Sequence, residues 1–475
     1  MRRANTATQP TDVERLALHE AYRHKITVNP SLTRQLVSYQ SNRARPFYRW
    51  FKYKEGFSAA LVEYMLGEFA PKPGRLLDPF GGAGAALFAS RDLGWDATGI
   101  ELLPVGIFVI EARQAVERVS RQAFRAAVDR FAASDWKRHS DPELGFRHLT
   151  ITRDAFADAT EREITSYRTY VRDEMNVPDL RLLFEAACFA VLESVSFTRK
   201  DGQYLRWDER SRRDLKGKPF NKGPIPGFSQ AVMAQLRTML ADMHASDLFG
   251  RPGGAERGQI ETHQGSCLTM LTEFQPASFD MVVTSPPYCN RYDYTRTYAL
   301  ELAYLGVGQS RLKELRQALL SCTVENRAKV DELRTHHAGT GNLDLFERAL
   351  VAFEEQEALQ EVLARLEEHS REGRLNNTNV PRMVRNYFLE SAIVIFELAR
   401  LLRPGGRVVM VNDNVQYAGD EVPVDLILCD LAARAGMMTE HIWTLGRGKG
   451  NSSQQMGAHG RNELRKCAYV WRSLH

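Results

Sequence analysis

The fold is decided by Leu76–Gly84, with the sequence LLDPFGGAG, in which an apolar strand runs into a glycine-rich turn. The next stretch, Ala85–Ser90, is predicted to be helical, so strand, turn and helix follow one another directly. Glycines in such a turn let the backbone approach a ligand closely and let the helix pack tightly on the strand. A second predicted strand, Trp95–Glu101, ends in an acid about 20 residues after the turn, the spacing at which a carboxylate meets ribose hydroxyls. This pattern predicts the first half of a doubly wound α/β sheet.

A second motif, Thr284–Tyr288 (TSPPY), follows the apolar stretch Phe279–Val283, and the predicted strand is Phe279–Thr284. Two consecutive prolines fix φ and remove two backbone donors, so the chain must leave the sheet in a rigid extended turn. The turn brings a hydroxyl, carbonyl oxygens and an aromatic ring to the carboxyl end of a strand, where open α/β sheets bind ligands. These groups suit a planar ring with an exocyclic amine. A proline-rich turn that only closes a strand is the simpler interpretation, and the glycine turn and the spaced acid weaken it.

Together the two motifs resemble the signature of exocyclic-amino DNA methyltransferases that use S-adenosylmethionine. Asp78–Gly84 (DPFGGAG) resembles the cofactor motif of that family, and Thr284–Tyr288 resembles its catalytic motif. Ser285 at the first catalytic position is similar to the cytosine-N4 branch, whereas adenine-N6 enzymes more often carry Asp or Asn there. The resemblance covers roughly residues 48–110 and 262–308, and a C-terminal half-sheet at 381–473.

The resemblance implies a cofactor, a partner and a set of site residues. The implied cofactor is S-adenosyl-L-methionine, and no metal is implied. The implied partner is double-stranded DNA, with a cognate restriction endonuclease as a second candidate partner. The residues implied to bind the cofactor are Phe57, Asp78, Phe80, Gly82, Gly84, Glu101 and Ser266. The residues implied at the catalytic site are Ser285, Pro286, Pro287 and Tyr288.

The expected chemistry is methyl transfer to the exocyclic N4 amine of cytosine. That amine is a poor nucleophile because its lone pair is delocalised into the ring, and a site that accepts hydrogen bonds from both N–H groups localises the pair. Ser285 Oγ and the Pro286 carbonyl are the candidate acceptors, and Tyr288 is expected to stack on a base extruded from the duplex. Direct displacement needs no covalent nucleophile, so orientation supplies most of the acceleration. Cys289 lacks the Pro-Cys context of cytosine-C5 enzymes and is interpreted as a loop or core cysteine.

Three other functions remain open on the sequence alone. An adenine-N6 DNA methyltransferase would share nearly every residue named and is separated only by Ser285 in place of an acid. An RNA amino-methyltransferase is less favoured, because no separate RNA-binding module is recognisable. A non-catalytic DNA-binding subunit would keep the sheet but would not need to retain both motifs.

Composition predicts a cytoplasmic protein with no membrane association, and the resemblance implies a role in restriction–modification or host DNA protection. The chain has 475 residues, of which 43% are hydrophobic, and no apolar run approaches the ~18 residues of a spanning helix. Six cysteines without Cys-x-x-Cys pairs argue against zinc and disulfides and favour a reducing compartment. The net charge is only +4, so DNA binding must depend on local basic patches.

The expected fold is α/β: a Rossmann-like class I methyltransferase with a mixed seven-stranded sheet, helices on both faces and two largely helical insertions. One helix is expected over Val105–Ala133. The predicted units are a basic N-terminal arm at 1–47, the cofactor-binding half of the catalytic domain at 48–133, an insertion and candidate DNA-recognition region at 134–262, the catalytic-motif half at 263–308, a helical insertion at 309–380, and the C-terminal part of the catalytic sheet at 381–475.

Basic residues concentrate in the first insertion, between Thr198 and Lys222. Nine basic residues stand there against four acidic ones, with three aromatic residues interleaved, a composition typical of a DNA-contacting loop. A solvated charged loop is the alternative. A second polar loop, Arg447–Gln455, is interpreted as a substrate-side loop or a flexible hairpin tip. The predicted DNA-binding residues are Arg199, Lys200, Arg206, Arg210, Arg212, Arg213, Arg447 and Lys449.

Overall fold

The computed structural model describes residues 12–70, 72–201, 204–215, 220–249, 257–446 and 464–475. The α-helices of these residues are α1 Val13–Tyr22, α2 Ala59–Phe69, α3 Ala85–Asp92, α4 Pro104–Ala115, α5 Arg121–Ala133, α6 Asp158–Glu174, α7 Pro178–Val195, α8 Phe228–Phe249, α9 Cys267–Met270, α10 Tyr294–Thr297, α11 Ala299–Tyr304, α12 Gln309–Ala318, α13 Val330–Gly339, α14 Leu343–Glu354, α15 Glu357–Arg371, α16 Val380–Leu401 and α17 Val424–Arg434. The strands are β1 Ile26–Val28, β2 Arg75–Asp78, β3 Asp96–Glu101, β4 Thr198–Asp201, β5 Tyr204–Trp207, β6 Ile260–Gln264, β7 Phe279–Thr284, β8 Leu402–Asp413, β9 Val415–Tyr417, β10 Asp420–Val422, β11 Met437–Thr444 and β12 Lys466–Ser473.

Eight of these strands form one sheet in the order β1-β11-β12-β8-β7-β2-β3-β6. Neighbouring strands are parallel except at β12, which runs antiparallel to both β11 and β8. The predicted Rossmann-like α/β class is confirmed, with one strand more than the seven expected. The additional strand is β1, whose Ile26–Val28 pairs with Ile442–Thr444 at the sheet edge. Part of the segment predicted as a basic arm therefore belongs to the catalytic sheet.

The central strands bury both of their faces, because successive side chains of a strand point to opposite sides of the sheet. Leu76 and Met281 belong to a core formed with α2 and α3. Leu77 and Val282, their immediate neighbours in sequence, belong to a second core formed with α16 and α17. Near-continuous apolar strands of this kind are expected where helices cover both faces of a parallel sheet.

The first insertion contributes to a further core, in which several aromatic rings pack with aliphatic side chains. Phe131 of α5 lies 5.3 Å from Tyr167 of α6 and 5.9 Å from Phe184 of α7, measured between ring centroids. Tyr167 also lies 5.6 Å from Phe228 of α8. The single helix expected before this insertion is two helices, α4 and α5, because Ser120 accepts a hydrogen bond from the Ala123 backbone N–H at 3.1 Å and caps the second one.

None of the helices in the described ranges combines the length and apolarity of a membrane span. In the same ranges no group of three or more His, Cys, Asp or Glu side chains is placed to hold a metal ion. All six cysteines, including Cys289, are buried free thiols.

Candidate active site

The glycine-rich turn and the TSPPY turn meet at one edge of the sheet. They follow β2 and β7, which pair in parallel, so the carboxyl ends of both strands lie side by side. Asp78 Oδ1 accepts hydrogen bonds from Thr284 Oγ at 2.7 Å and from the Phe80 backbone N–H at 3.1 Å. Thr284, which carries no predicted role, therefore ties the two motifs together through a buried hydrogen bond.

Glu101 at the end of β3 fixes the glycine turn. Its Oε2 accepts from the Gly82 backbone N–H at 2.7 Å, and its Oε1 accepts from the Leu103 backbone N–H at 2.7 Å. Gly82 and Gly84 have φ values of 53° and 76°, in the left-handed region that favours glycine. A Cβ added to Gly106 would lie 2.3 Å from the Gly82 carbonyl oxygen, so α4 packs against the turn without room for a side chain.

A cavity of about 1000 Å³, partly open to solvent, lies over this turn and is called the first cavity. Of the predicted cofactor-binding residues it is lined by Phe57, Phe80, Gly82, Glu101 and Ser266. The other two, Asp78 and Gly84, lie at the buried base of the turn and at the start of α3. Ser266 donates its hydroxyl proton to the Ala318 carbonyl at 2.7 Å, which leaves its oxygen lone pairs as acceptors.

A second cavity of about 1080 Å³, also partly open, adjoins the first and is lined by Tyr288. The two cavities share the lining residues Tyr39, Tyr53, Glu55 and Gly56. The predicted catalytic turn stands between them, because Ser285 and Pro287 line the first cavity and Tyr288 lines the second. A ligand in each cavity would thus meet the other at this turn.

Ser285 is oriented as a hydrogen-bond acceptor. Its hydroxyl donates to the Val411 carbonyl oxygen of β8 at 3.0 Å, and its Oγ lies 3.3 Å from the Tyr288 hydroxyl. Because the Ser285 proton is directed to Val411, the Tyr288 hydroxyl can only donate to Oγ, which leaves one lone pair for a donor in the cavity. Pro286 and Pro287 are buried, so the turn is held firmly at the strand end.

Two buried carboxyl groups beneath the site have raised pKa values. Burial raises the pKa of Asp78 to about 7, against the opposing hydrogen bonds from Thr284 and Phe80. Burial also raises the pKa of Glu101 to about 7, although the backbone N–H groups of Leu103 and Gly82 favour its ionised form. Both groups therefore change charge near neutral pH, and both contact the turn.

We expect the wild-type protein to lose stability relative to an Asp78→Asn variant as the pH rises. Because the pKa of Asp78 is raised in the fold from 3.8 to about 7, its stabilising contribution is present below the unfolded value and is lost as the pH passes through the folded one. The difference in free energy of unfolding between the two proteins should change by on the order of 3 kcal/mol between about pH 5 and about pH 8. Urea unfolding of both proteins across this range measures it, and a constant difference would contradict the assignment.

Several cations predicted to bind DNA are engaged within the protein. Arg210 Nε lies 2.6 Å from Asp208 Oδ1, and Arg212 Nη2 lies 2.9 Å from Asp158 Oδ2. Arg213 donates to two backbone carbonyl oxygens, at 2.7 and 3.2 Å. These three guanidinium groups stabilise the insertion. Their charges and N–H donors are already engaged by internal partners and are therefore less available to an external phosphate.

The other predicted cations have different surroundings. Arg199 and Arg206 are exposed on the β4–β5 hairpin, and their guanidinium carbons lie 5.9 and 4.1 Å from the centroid of the Phe220 ring. Lys200 is 3% exposed, and its Nζ lies 2.5 Å from Glu301 Oε1. The prediction that Lys200 contacts DNA is wrong, because a buried, paired ammonium cannot reach a phosphate. Arg447 and Lys449 lie outside the described residues.

Replacing Lys200 with methionine should destabilise the protein by about 3–5 kcal/mol, because it leaves Glu301 buried without its cation. The double variant Lys200→Met/Glu301→Leu removes both charges and should recover most of that loss. Urea unfolding of the three proteins measures the difference. A single variant as stable as wild type would show that the buried pair contributes nothing.

Some lining residues are not among the predicted site residues. Tyr53 is buried with its ring centroid 4.9 Å from that of Tyr298, and it forms part of both cavities. Arg113 is buried between aromatic rings and donates to the Ala83 carbonyl at 3.2 Å. Leu319 and Leu320, from the second insertion, also line the first cavity. Only the folded chain brings these distant segments together.

Comparison with known proteins gives close relatives over nearly the whole chain. The chain is 44% identical over 461 residues to the type II methyltransferase M.AvaI of Nostoc sp., covering 96% of this chain and 92% of that protein. The M.AvaI of Anabaena variabilis gives the same values. The type II methyltransferase M.BsoBI of Geobacillus stearothermophilus is 36% identical over 474 residues, covering 97% of this chain and 92% of that protein. No family model matches the chain. With this degree of identity at almost full length, the chain belongs to the type II methyltransferases.

Proposed function

We propose that the protein is a site-specific DNA methyltransferase that transfers a methyl group from S-adenosyl-L-methionine to the N4 amine of cytosine in double-stranded DNA. The proposal places it in a restriction–modification system, beside a cognate restriction endonuclease. The observation that carries it is the position of Ser285, a neutral acceptor at the junction of the two cavities.

The first cavity supports the binding of S-adenosylmethionine. Its walls combine apolar rings with a few polar groups, as the walls of small-molecule sites do. Glu101 offers carboxylate oxygens to ribose hydroxyls, Ser266 offers an acceptor to an amino group, and Phe57 and Phe80 offer apolar surface to the adenine. When bound, the cofactor supplies an electrophilic methyl group.

The second cavity supports the binding of an extruded base. Its wall contains Tyr288, whose ring can stack on a pyrimidine, and a base must leave the duplex before its amine can be reached. Ser285 Oγ and the Pro286 carbonyl would then accept the two amine hydrogens and localise the nitrogen lone pair. Burial raises the pKa of the Tyr288 phenol, so the stacking ring stays neutral.

Cytosine is favoured over adenine by the charge of the first catalytic residue. An acid at that position would accept the same hydrogen bonds with a negative charge, whereas Ser285 does so without one. The surrounding site already contains two acids, Glu55 and Asp413, and burial raises the pKa of both. A further carboxylate there would carry an additional desolvation cost.

Nucleoside analysis tests the proposal directly. Purified protein is incubated with S-adenosylmethionine and unmethylated plasmid DNA, and the DNA is digested to nucleosides and analysed by mass spectrometry. N4-methylcytosine is the expected product. N6-methyladenine without N4-methylcytosine would overturn the base assignment, and the absence of any methylated nucleoside would overturn the enzymatic function. Sequencing of methylated positions in an expressing host then gives the recognition site.

A further inference from the structure

Four basic residues around the second cavity have no place in the function described so far. Arg34, Arg43, Lys52 and Lys54 all line that cavity together with Tyr288, and we call them the basic rim. They come from the segment that precedes α2, far in sequence from the basic insertion. Their position is therefore independent of the cations predicted to bind DNA.

The basic rim is not neutralised by neighbouring acids. None of its four side chains forms an ion pair with another described residue. Lys54 Nζ donates to the Lys200 carbonyl oxygen at 2.7 Å, a neutral partner. This contrasts with Arg210 and Arg212, which pair with aspartates. The charges of the rim remain available to an anion.

The cations of the rim also act on one another. Partial burial lowers the pKa of Lys52, and the neighbouring cations Lys54, Arg43 and Lys200 lower it further, against the opposing effect of Glu193. An anion bound among these groups would relieve their mutual repulsion. Crowded like charges without ion pairs of their own are the electrostatic arrangement expected of a phosphate-binding surface.

The acids of the same cavity do not cancel the rim. Asp413 Oδ2 lies 2.5 Å from Lys466 Nζ, so these two charges neutralise each other. Glu55 is the other acid, and burial followed by the charge of Asp413 raises its pKa. Even with Glu55 fully ionised, four positive charges face one negative charge in addition to the neutral pair.

We propose that the basic rim binds the DNA phosphates on either side of the extruded target nucleotide. This inference rests on the proposed function, because it takes the second cavity as the base pocket. A base stacked on Tyr288 remains joined to its deoxyribose and to both flanking phosphates, which must then lie at the mouth of the same cavity. Contacts of this kind fix the register of the strand and carry no sequence information.

One part of the rim is held in place before DNA binds. The Lys54 backbone N–H donates to the Tyr298 hydroxyl at 2.6 Å, and Tyr298 stacks on Tyr53, which lines both cavities. Because its ammonium group is also tethered, Lys54 is left unchanged in the test. Arg34, Arg43 and Lys52 have no described side-chain hydrogen bond to lose on substitution.

Salt dependence of DNA binding tests the proposal. The triple variant Arg34→Gln/Arg43→Gln/Lys52→Gln and the wild-type protein are titrated with a 30-base-pair duplex over a range of salt concentrations. Each lost phosphate contact should reduce the magnitude of the slope of log K for DNA binding against log salt by about 0.9. The slope of the triple variant should therefore be smaller in magnitude by about 2.7. The single variant Lys52→Gln should lose about 0.9 and provides a second, milder measurement.

A matched control separates the rim from total charge. The triple variant Arg23→Gln/Arg125→Gln/Arg311→Gln removes three exposed cations from other surfaces, where each lies within 4 Å of a carboxylate on its own helix or next to it. Its slope should stay within about 0.5 of wild type. The proposal would be overturned if the rim variants kept the wild-type slope. It would also be overturned if the control variant lost as much slope as the rim triple variant. The proposed function fails separately, if wild-type protein methylates no nucleoside in DNA.

Discussion

Replacing Ser285 with alanine should lower kcat for methyl transfer by roughly 10²–10³ while leaving the Kd for S-adenosylmethionine nearly unchanged. The hydroxyl donates to the Val411 carbonyl, and in the proposed function its oxygen accepts from the amine of the target base. Without that oxygen, one N–H group of the amine loses its acceptor at the moment when the nitrogen must release its lone pair. The loss should therefore fall on the chemical step.

Single-turnover methylation of DNA and calorimetric titration of the cofactor separate these two effects. The control is Ser310→Ala, which removes a hydroxyl from the exposed start of α12 and should leave both constants as in wild type. An undiminished kcat for Ser285→Ala would remove Ser285 from the catalytic site. A large rise in Kd with unchanged kcat would instead assign the residue to cofactor binding.

Replacing Glu101 with glutamine should weaken cofactor binding by about 100-fold. The carboxylate accepts the backbone N–H groups of both Gly82 and Leu103, whereas a carboxamide can accept only one of them and turns its own N–H₂ toward the other. An unpaired buried donor costs about 1–3 kcal/mol, and the turn must also move to relieve the contact. The ribose hydroxyls would lose the same acceptor.

Calorimetric titration at about pH 8, where the carboxyl is largely ionised, measures the change. The control is Glu111→Gln, an exposed position on α4, which should bind the cofactor as wild type does. Circular dichroism of the variants establishes that the fold is retained. Equal affinities for Glu101→Gln and wild type would exclude Glu101 from the cofactor site.

The sequence predicted best those features whose cause is local. The strand Phe279–Thr284 ends where expected, because an apolar run meets two prolines that cannot continue a ladder. The glycine turn and Glu101 were predicted together, and a single pair of backbone hydrogen bonds explains their spacing. Adjacent parallel strands then brought the two motifs to one edge of the sheet, as the doubly wound pattern implies.

The features that were missed depend on contacts between distant residues. Strand β1 has only three residues, a run too short to mark a strand by its sequence pattern, and its place comes from backbone pairing with β11. Lys200 was counted as a surface charge because its partner Glu301 lies 101 positions away. The boundary between α4 and α5 depends on one capping hydroxyl, at Ser120, within a stretch that is otherwise suited to a helix.

The hydrogen bond from Thr284 to Asp78 joins residues 206 positions apart, and the bond from Ser285 to Val411 joins residues 126 positions apart. Closing such long loops costs conformational entropy, and this cost comes before the contacts can stabilise the chain. During synthesis, the glycine turn emerges early, β8 emerges much later, and the β12 strand beside it emerges after β11. The predicted catalytic turn therefore acquires its Val411 partner only when β8 has entered the sheet. Truncated chains would consequently lack a finished active site, and the appearance of methylating activity would report complete folding of the whole chain.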